Sequence, residues 1–307
     1  MSLRAIPDSM APAVVASIDA ELDRVAAEHR VRIPLAIESG SRAWGFPSPD
    51  SDYDCRFVYI ASLEDYLTPW RTRDVIETPL VGLLDVNGWD LAKALRLLVA
   101  GNAVLIEWLR SPIVYRGDPR FRAELRALAD QVADRDRVAR HYLHLGRKQW
   151  AAAQRTGGLK RLFYALRPAM ALRWLREHPG TSVAPMHLPT LMADCAVEAD
   201  LATAVTELTE LKTRTREMGS GARPAAIAAF VTDEFDLAET LFPRPGNRDL
   251  GPARAATAEF FRTWATAEAT TRPTETQPRE TPPTETPPTR AAQPTTRTPI
   301  ASGPALT

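Results

Sequence analysis

Gly40-Ser41 closes one apolar run of this chain, and Asp52-Tyr53-Asp54 opens the next about a dozen residues later. No other spacing constrains the fold as tightly. The first run, Val31-Arg32-Ile33-Pro34-Leu35-Ala36-Ile37-Glu38, is rich in branched apolar residues and interrupted by Pro34, which predicts a strand near a sheet edge. The second, Cys55-Arg56-Phe57-Val58-Tyr59-Ile60, continues a strand that begins at the acidic triplet. Alternate residues of a strand share a face, so Asp52 and Asp54 point to one side and Tyr53 to the other, and both carboxylates can converge on one hard cation such as Mg²⁺.

Between the strands, Phe46-Pro47-Ser48-Pro49-Asp50-Ser51 reads as a loop. Gly40 lets the backbone approach a ligand closely. If a helical turn starts at Ser41, its free N–H groups and the serine hydroxyl face an incoming anion, and a triphosphate is the obvious candidate. Asp-x-Asp alone recurs in solvated turns. The preceding Gly-Ser and the strand context separate it from that reading.

Four segments, Gly40-Ser41-Arg42-Ala43-Trp44-Gly45, Ser51-Asp52-Tyr53-Asp54, Asp85-Val86-Asn87-Gly88-Trp89-Asp90 and Phe163-Tyr164-Ala165-Leu166-Arg167-Pro168, together resemble a family of predicted nucleotidyltransferases. That family belongs to the DNA polymerase β-like superfamily and is also called RNA-ligase-associated. The resemblance covers roughly residues 15 to 245. It implies an α+β fold: a small mixed sheet flanked by helices, with three carboxylates and a Gly-Ser turn, followed by an α-helical bundle that closes a nucleotide cleft. The third carboxylate belongs on a later strand. Pro79-Leu80-Val81-Gly82-Leu83-Leu84 reads as a short strand ending at Asp85, which makes Asp85 the choice; Asp90, placed as an N-cap before Leu91, and Glu77 are the competing candidates.

Carboxylates at Asp52, Asp54 and Asp85 holding two Mg²⁺ or Mn²⁺ ions would support transfer of a nucleoside monophosphate from a nucleoside triphosphate to a hydroxyl acceptor, with pyrophosphate leaving. The acceptor is not readable from the chain; RNA is suggested by the family's second name, and a protein or small molecule stays open. A catalytically silent nucleotide sensor with the same fold is the alternative. Around this site, Arg42 either contacts phosphate or pairs with carboxylates. Arg56, two residues beyond Asp54, either supports the carboxylates or reaches a substrate phosphate. Trp44 reads as packing. His141 and His144 lie three apart on a helix, a spacing compatible with metal but more common for surface or packing histidines.

Lysine plus arginine and aspartate plus glutamate both number 38, so the whole surface is no nucleic-acid magnet, although a local basic cleft is allowed. Two cysteines are too few for a disulfide framework, Met1 to Ala5 lacks a secretory apolar core, and no apolar run approaches the roughly 20 residues that span a bilayer. A cytoplasmic protein without a membrane partner is expected.

Helical periodicity predicts a helix over 14–29 and one or two helices over 90–110, broken near Gly101-Asn102. Ser111 to Tyr115 reads as a short edge strand, and bundle helices follow over 121–134, 137–155, 159–178, 189–218 and 222–241. Lys160, Tyr164 and Arg167 stand at i, i+4 and i+7 on one helix face. Because the family's box faces the cleft, Lys160 and Arg167 are expected to clamp the triphosphate or a nucleic-acid backbone. The expected organisation is a catalytic domain at 10–118, a helical domain at 119–245, a linker and docking helix at 246–269, and a disordered Pro/Thr-rich tail at 270–307. Phe260, Phe261 and Trp264 need somewhere to dock, on the bundle or, through this helix or the tail, on a protein partner.

Overall fold

The computed structural model describes residues 3–70, 73–215, 218–219, 221–244, 246 and 249–267; the predicted disordered tail lies outside the described residues. Six strands, β1 (Leu3–Ala5), β2 (Arg32–Ser39), β3 (Tyr53–Ile60), β4 (Val75–Glu77), β5 (Leu84–Asp90) and β6 (Val114–Gly117), form one sheet in the order β1-β6-β2-β3-β5-β4. Only β3 and β5 pair in parallel, which makes the sheet mixed, and the helices make the fold α+β.

The sheet corrects three strand readings. β2 is central rather than near an edge: Pro34 sits where its register with β3 slips between Arg32 and Leu35, so the missing N–H falls at a bulge and the Pro34 carbonyl accepts from Asp118 N at 2.8 Å. β6 is likewise interior, covered by the short β1. β5 does not end at Asp85 but starts just before it. The apolar residues Leu80, Val81 and Leu83 lie ahead of the strand in an exposed turn.

Each sheet face has its own core. Helix α1 (Pro12–His29) lays Val15, Ile18, Leu22 and Val25 on Ala36, Tyr53, Cys55, Phe57 and Val86. Burying each such aliphatic side chain is worth about 1.5–3 kcal/mol. The short turn α2 (Ser41–Trp44) follows β2, and α3 (Leu63–Leu67) follows β3. On the opposite face Leu35, Ile37, Val58 and Ile60 meet α4 (Leu91–Val99), α5 (Ala103–Arg110) and α6 (Pro119–Val132), separated as expected at Gly101-Asn102, where Asn102 caps α5.

This larger core continues into α7 (Arg135–Thr156), α8 (Leu159–Glu177), α9 (Leu188–Asp194), α10 (Ala199–Arg214) and α11 (Ala225–Leu241). The single helix predicted over 189–218 is two, interrupted between Asp194 and Ala199. Close packing of α7, α8 and α11 depends on Gly146, where a Cβ would stand 2.4 Å from the Phe235 ring. Helix α12 (Gly251–Thr266) settles its three rings within the chain: Trp264 meets Phe121 edge-on at 4.9 Å, Phe260 lies 5.7 Å from Phe121, and Phe261 meets Tyr66 at 4.8 Å. Among the described residues no helix is long and apolar enough to cross a membrane, and Cys55 and Cys195 are free and buried.

Candidate active site

Along β3, Tyr53, Cys55 and Phe57 face the α1 core, which turns Asp54 and Arg56 to the face shared with the bundle. Parallel pairing then sets Asp54 opposite Asp85 and Arg56 opposite Asn87, so four polar residues form a block on one face. Arg56 Nη2 lies 3.1 Å from Asp54 Oδ1 and 2.6 Å from Asp85 Oδ2, and its Nη1 donates to the carbonyls of Asp85 at 2.8 Å and Cys55 at 3.0 Å. Asn87 donates its amide to the other oxygen of Asp85.

Gly40 presses against this block. Its φ is +75°, and a Cβ there would come within 2.1 Å of Asp54 Oδ2, so only glycine brings the end of β2 this close to the carboxylate. Ser41 is buried and donates its hydroxyl to Ser51 Oγ at 2.9 Å, while Ser51 Oγ also accepts from Ser48 N at 2.8 Å. Arg42 donates to the carbonyls of Ser51 at 2.7 Å and Asp52 at 3.2 Å and stacks 3.8 Å over the Tyr53 ring. Both side chains therefore tie down the loop that presents the exposed Asp52 rather than standing free for a phosphate.

Charge in the block is unbalanced. Burial, together with Asp85 and Asp52, pushes the Asp54 carboxyl up to about 6, against the pull of Arg56 and Lys160. Directly behind lies Glu38, to which the sequence reading gave no role. It is fully buried, accepts Asp54 N–H at 2.9 Å and the Tyr115 hydroxyl, and is pushed up to about 8 by burial, with those two hydrogen bonds pulling down. A lone glutamate inside an apolar strand, next to Ser39-Gly40, was the signal. Tyr164 was also passed over: it meets Trp44 edge-on at 5.6 Å and feels the charge of both Asp54 and Asp52.

Asp85 and Asp90 part clearly. Asp90 is at the far end of β5, accepting from Ala92 N at 2.8 Å and the Tyr66 hydroxyl at 2.7 Å, an N-cap with both oxygens engaged. Glu77 is on the edge strand, paired with Arg73. His141 accepts the Ala103 N–H at 2.9 Å at the start of α5 and is not part of a metal site. In α8, Lys160 is exposed and within electrostatic reach of Asp54. Arg167 departs from the expected clamp: it is buried, 2.6 Å from Glu107 Oε1 and 4.5 Å above the Trp44 ring. The two residues share a helix face, but seven residues carry it from the rim into the core.

Among the described residues no three His, Cys, Asp or Glu side chains enclose a metal position. The available donors are the Asp54 and Asp85 carboxylates, with Asp52 on the adjoining loop. That set suits Mg²⁺, which takes one or two carboxylates and completes its shell with water and substrate phosphates rather than a protein cage.

The sequence profile of the RNA repair pathway DNA polymerase beta family matches residues 14–262, spanning both the carboxylate block and the bundle. The chain belongs to this family. An uncharacterized protein of Bacillus subtilis (strain 168), YcgL, is 40% identical over 219 residues, covering 70% of this chain and 83% of its own. A crystal structure of a nucleotidyltransferase-like protein from Exiguobacterium sibiricum 255-15 aligns over 83% of this chain and 75% of its own, at 11% identity and a TM-score of 0.27.

Proposed function

We propose that this family member is a metal-dependent nucleotidyltransferase. An acceptor hydroxyl oxygen bonds to the α-phosphorus of a nucleoside triphosphate, the hydroxyl proton is lost, and the bond from the α-phosphorus to its bridging oxygen breaks to release pyrophosphate. The observation that carries this reading is the register of Asp54 with Asp85, both on Arg56 and both beside Gly40. Asp54, Asp85 and Asp52 would hold Mg²⁺ or Mn²⁺, two ions in the full form. When bound, the metal supplies positive charge that acidifies the acceptor hydroxyl and offsets charge gathering on the leaving pyrophosphate.

The remaining work is positional. Arg56 holds the two carboxylates side by side, and Asn87 orients Asp85. Glu38 fixes the backbone of Asp54 from the other face. Gly40 admits a phosphate close to the strand end, Arg42 and Ser41 brace the Asp52 loop, and Lys160 offers an ammonium to the phosphate chain. An RNA end is the acceptor class that the family's description favours, and the cytoplasm is the matching compartment.

A second reading, nucleotide binding without turnover, draws on Arg56 itself, a built-in cation already seated on both carboxylates. Incubation with Mg²⁺ or Mn²⁺ and each labelled nucleoside triphosphate separates the two. Pyrophosphate release that drops by roughly a thousandfold in Asp54→Ala supports the enzyme, a magnitude in the range seen for loss of a main electrostatic group. Binding without release supports the sensor, and no difference between wild type and Asp54→Ala removes both.

A further inference from the structure

Away from the carboxylates, the polar group with the least support is Lys212, in the last turn of α10. It is 1% exposed, and its Nζ has no hydrogen-bond partner among the described residues. Its surroundings are aromatic: Nζ stands 4.5 Å from the Phe46 ring centroid and 5.2 Å from that of Phe163. The charged groups that act on it are Lys160, a second cation, and Asp50. Burial first and Lys160 second push its ammonium down to about 8, with Asp50 pulling up. Ring faces attract an ammonium but do not replace the acceptors it loses on leaving water.

The place of this cation is as informative as its isolation. Phe46 opens the loop that ends at Asp52, and Phe163 lies one turn along α8 from Lys160, so the ammonium is wedged between the two elements that bear on the site. Lys160 is within electrostatic reach of Asp54 on one side and of Lys212 on the other. The sequence of charges leading away from the carboxylates is therefore negative at Asp54, positive at Lys160, positive at Lys212. A chain of phosphates whose first member faces the carboxylates meets cations in that order.

We propose that Lys212 is the inner cation of a polyphosphate subsite, with Lys160 as the outer one, and that the β- and γ-phosphates of the triphosphate are the counter-ion it lacks. The proposal rests on the nucleotidyltransferase reading and gives Lys212 the role expected of Arg167, whose charge is spent on Glu107. Phosphate oxygens are strong acceptors for an ammonium, and their bonds to it are charge-assisted.

Thermal unfolding of the full chain with and without inorganic tripolyphosphate tests this, using Lys212→Met, Lys212→Gln, Lys212→Arg and Lys160→Ala. Methionine keeps the length of the side chain and removes the ion. Lys212→Met alone should unfold at or above the wild-type temperature yet bind tripolyphosphate about tenfold or more weakly, the loss of one charged hydrogen bond. Lys212→Gln should show the same binding loss should the methionine variant fold poorly, Lys212→Arg should keep the response, and Lys160→Ala should lose less. Wild-type affinity in Lys212→Met or Lys212→Gln overturns the proposal and leaves Lys212 a packing residue. Pyrophosphate release measured on the same proteins keeps the two readings apart: binding lost without any turnover in wild type retains the subsite and removes the transferase, and turnover with unchanged tripolyphosphate binding does the reverse.

Discussion

Arg56 and Arg167 each hold a carboxylate, at opposite extremes of solvent access. Arg167 faces one partner, Glu107, with side chains 6% and 4% exposed, charges matched one to one. Arg56 faces two, Asp54 and Asp85, with Asp52 beyond them, all partly open to water. The matched pair fixes where α5 and α8 cross behind Trp44 and has no capacity left for a ligand's charge. The unmatched set has negative charge to spare, and Lys212 across the loop has positive charge to spare. Imbalance, rather than the presence of charge, separates site from support here.

The largest effect that could break this contrast is on Glu107. Glu107→Ala leaves the Arg167 guanidinium buried and uncompensated, and should lower stability by roughly 3–5 kcal/mol in urea denaturation. Replacing both partners, Arg167→Met with Glu107→Leu, should recover most of that loss, because two buried ions are exchanged for apolar contact. Asp54→Ala should cost far less, since it relieves repulsion from Asp85 and Asp52. If Glu107→Ala proves as mild as Asp54→Ala, the two arginines are not doing different jobs.

Glu38 gives the next largest effect, and a pH dependence with a definite sign. Its carboxyl is raised from the ordinary 4.5 to about 8 in the folded chain. The unfolded chain therefore releases this proton first, so the contribution of Glu38 to stability is complete below pH 4.5 and declines as pH rises towards 8. Glu38→Gln cannot titrate and can still accept the Asp54 N–H. The unfolding free energy of wild type should fall relative to that of Glu38→Gln between about pH 5 and pH 8, by on the order of a few kcal/mol. Parallel curves across that window would mean that the buried carboxyl finds compensation absent from this structure.

How much of this was legible in the sequence differs by residue. The Asp85 to Asp90 box can be decoded almost letter by letter: Asp85 joins the carboxylates, Val86 fills the α1 core, and Asn87 orients Asp85. Gly88 makes room for Phe57, whose ring a Cβ would approach to 2.0 Å, Trp89 packs on Trp108 at 4.1 Å, and Asp90 caps α4. Strand alternation and cap chemistry are local rules, and they suffice there. Pro34 misled because a bulge in a central strand and an edge strand present the same missing N–H. Arg167 and Lys212 were out of reach because their environments come from distant segments: a helix period places Arg167 on a face but cannot say that Glu107 waits there, and nothing near position 212 announces two aromatic rings from residues 46 and 163.

The smallest expected effect sharpens the contrast at the phosphate turn. Ser41 looked like a phosphate donor in the sequence, but its hydroxyl is given to Ser51, which in turn holds Ser48. Ser41→Ala should cost about 0.5–1.5 kcal/mol, one neutral hydrogen bond, and raise the KM for triphosphate a few-fold through a looser Asp52 loop. Ser51→Ala removes the same bond from its other end, so the double variant should be no worse than the more severe single one. An Oγ that turned to a substrate phosphate would behave otherwise: Ser41→Ala would then impose its full KM penalty even in the Ser51→Ala background, and the serine would belong with the unmatched charges rather than with the braces that hold them.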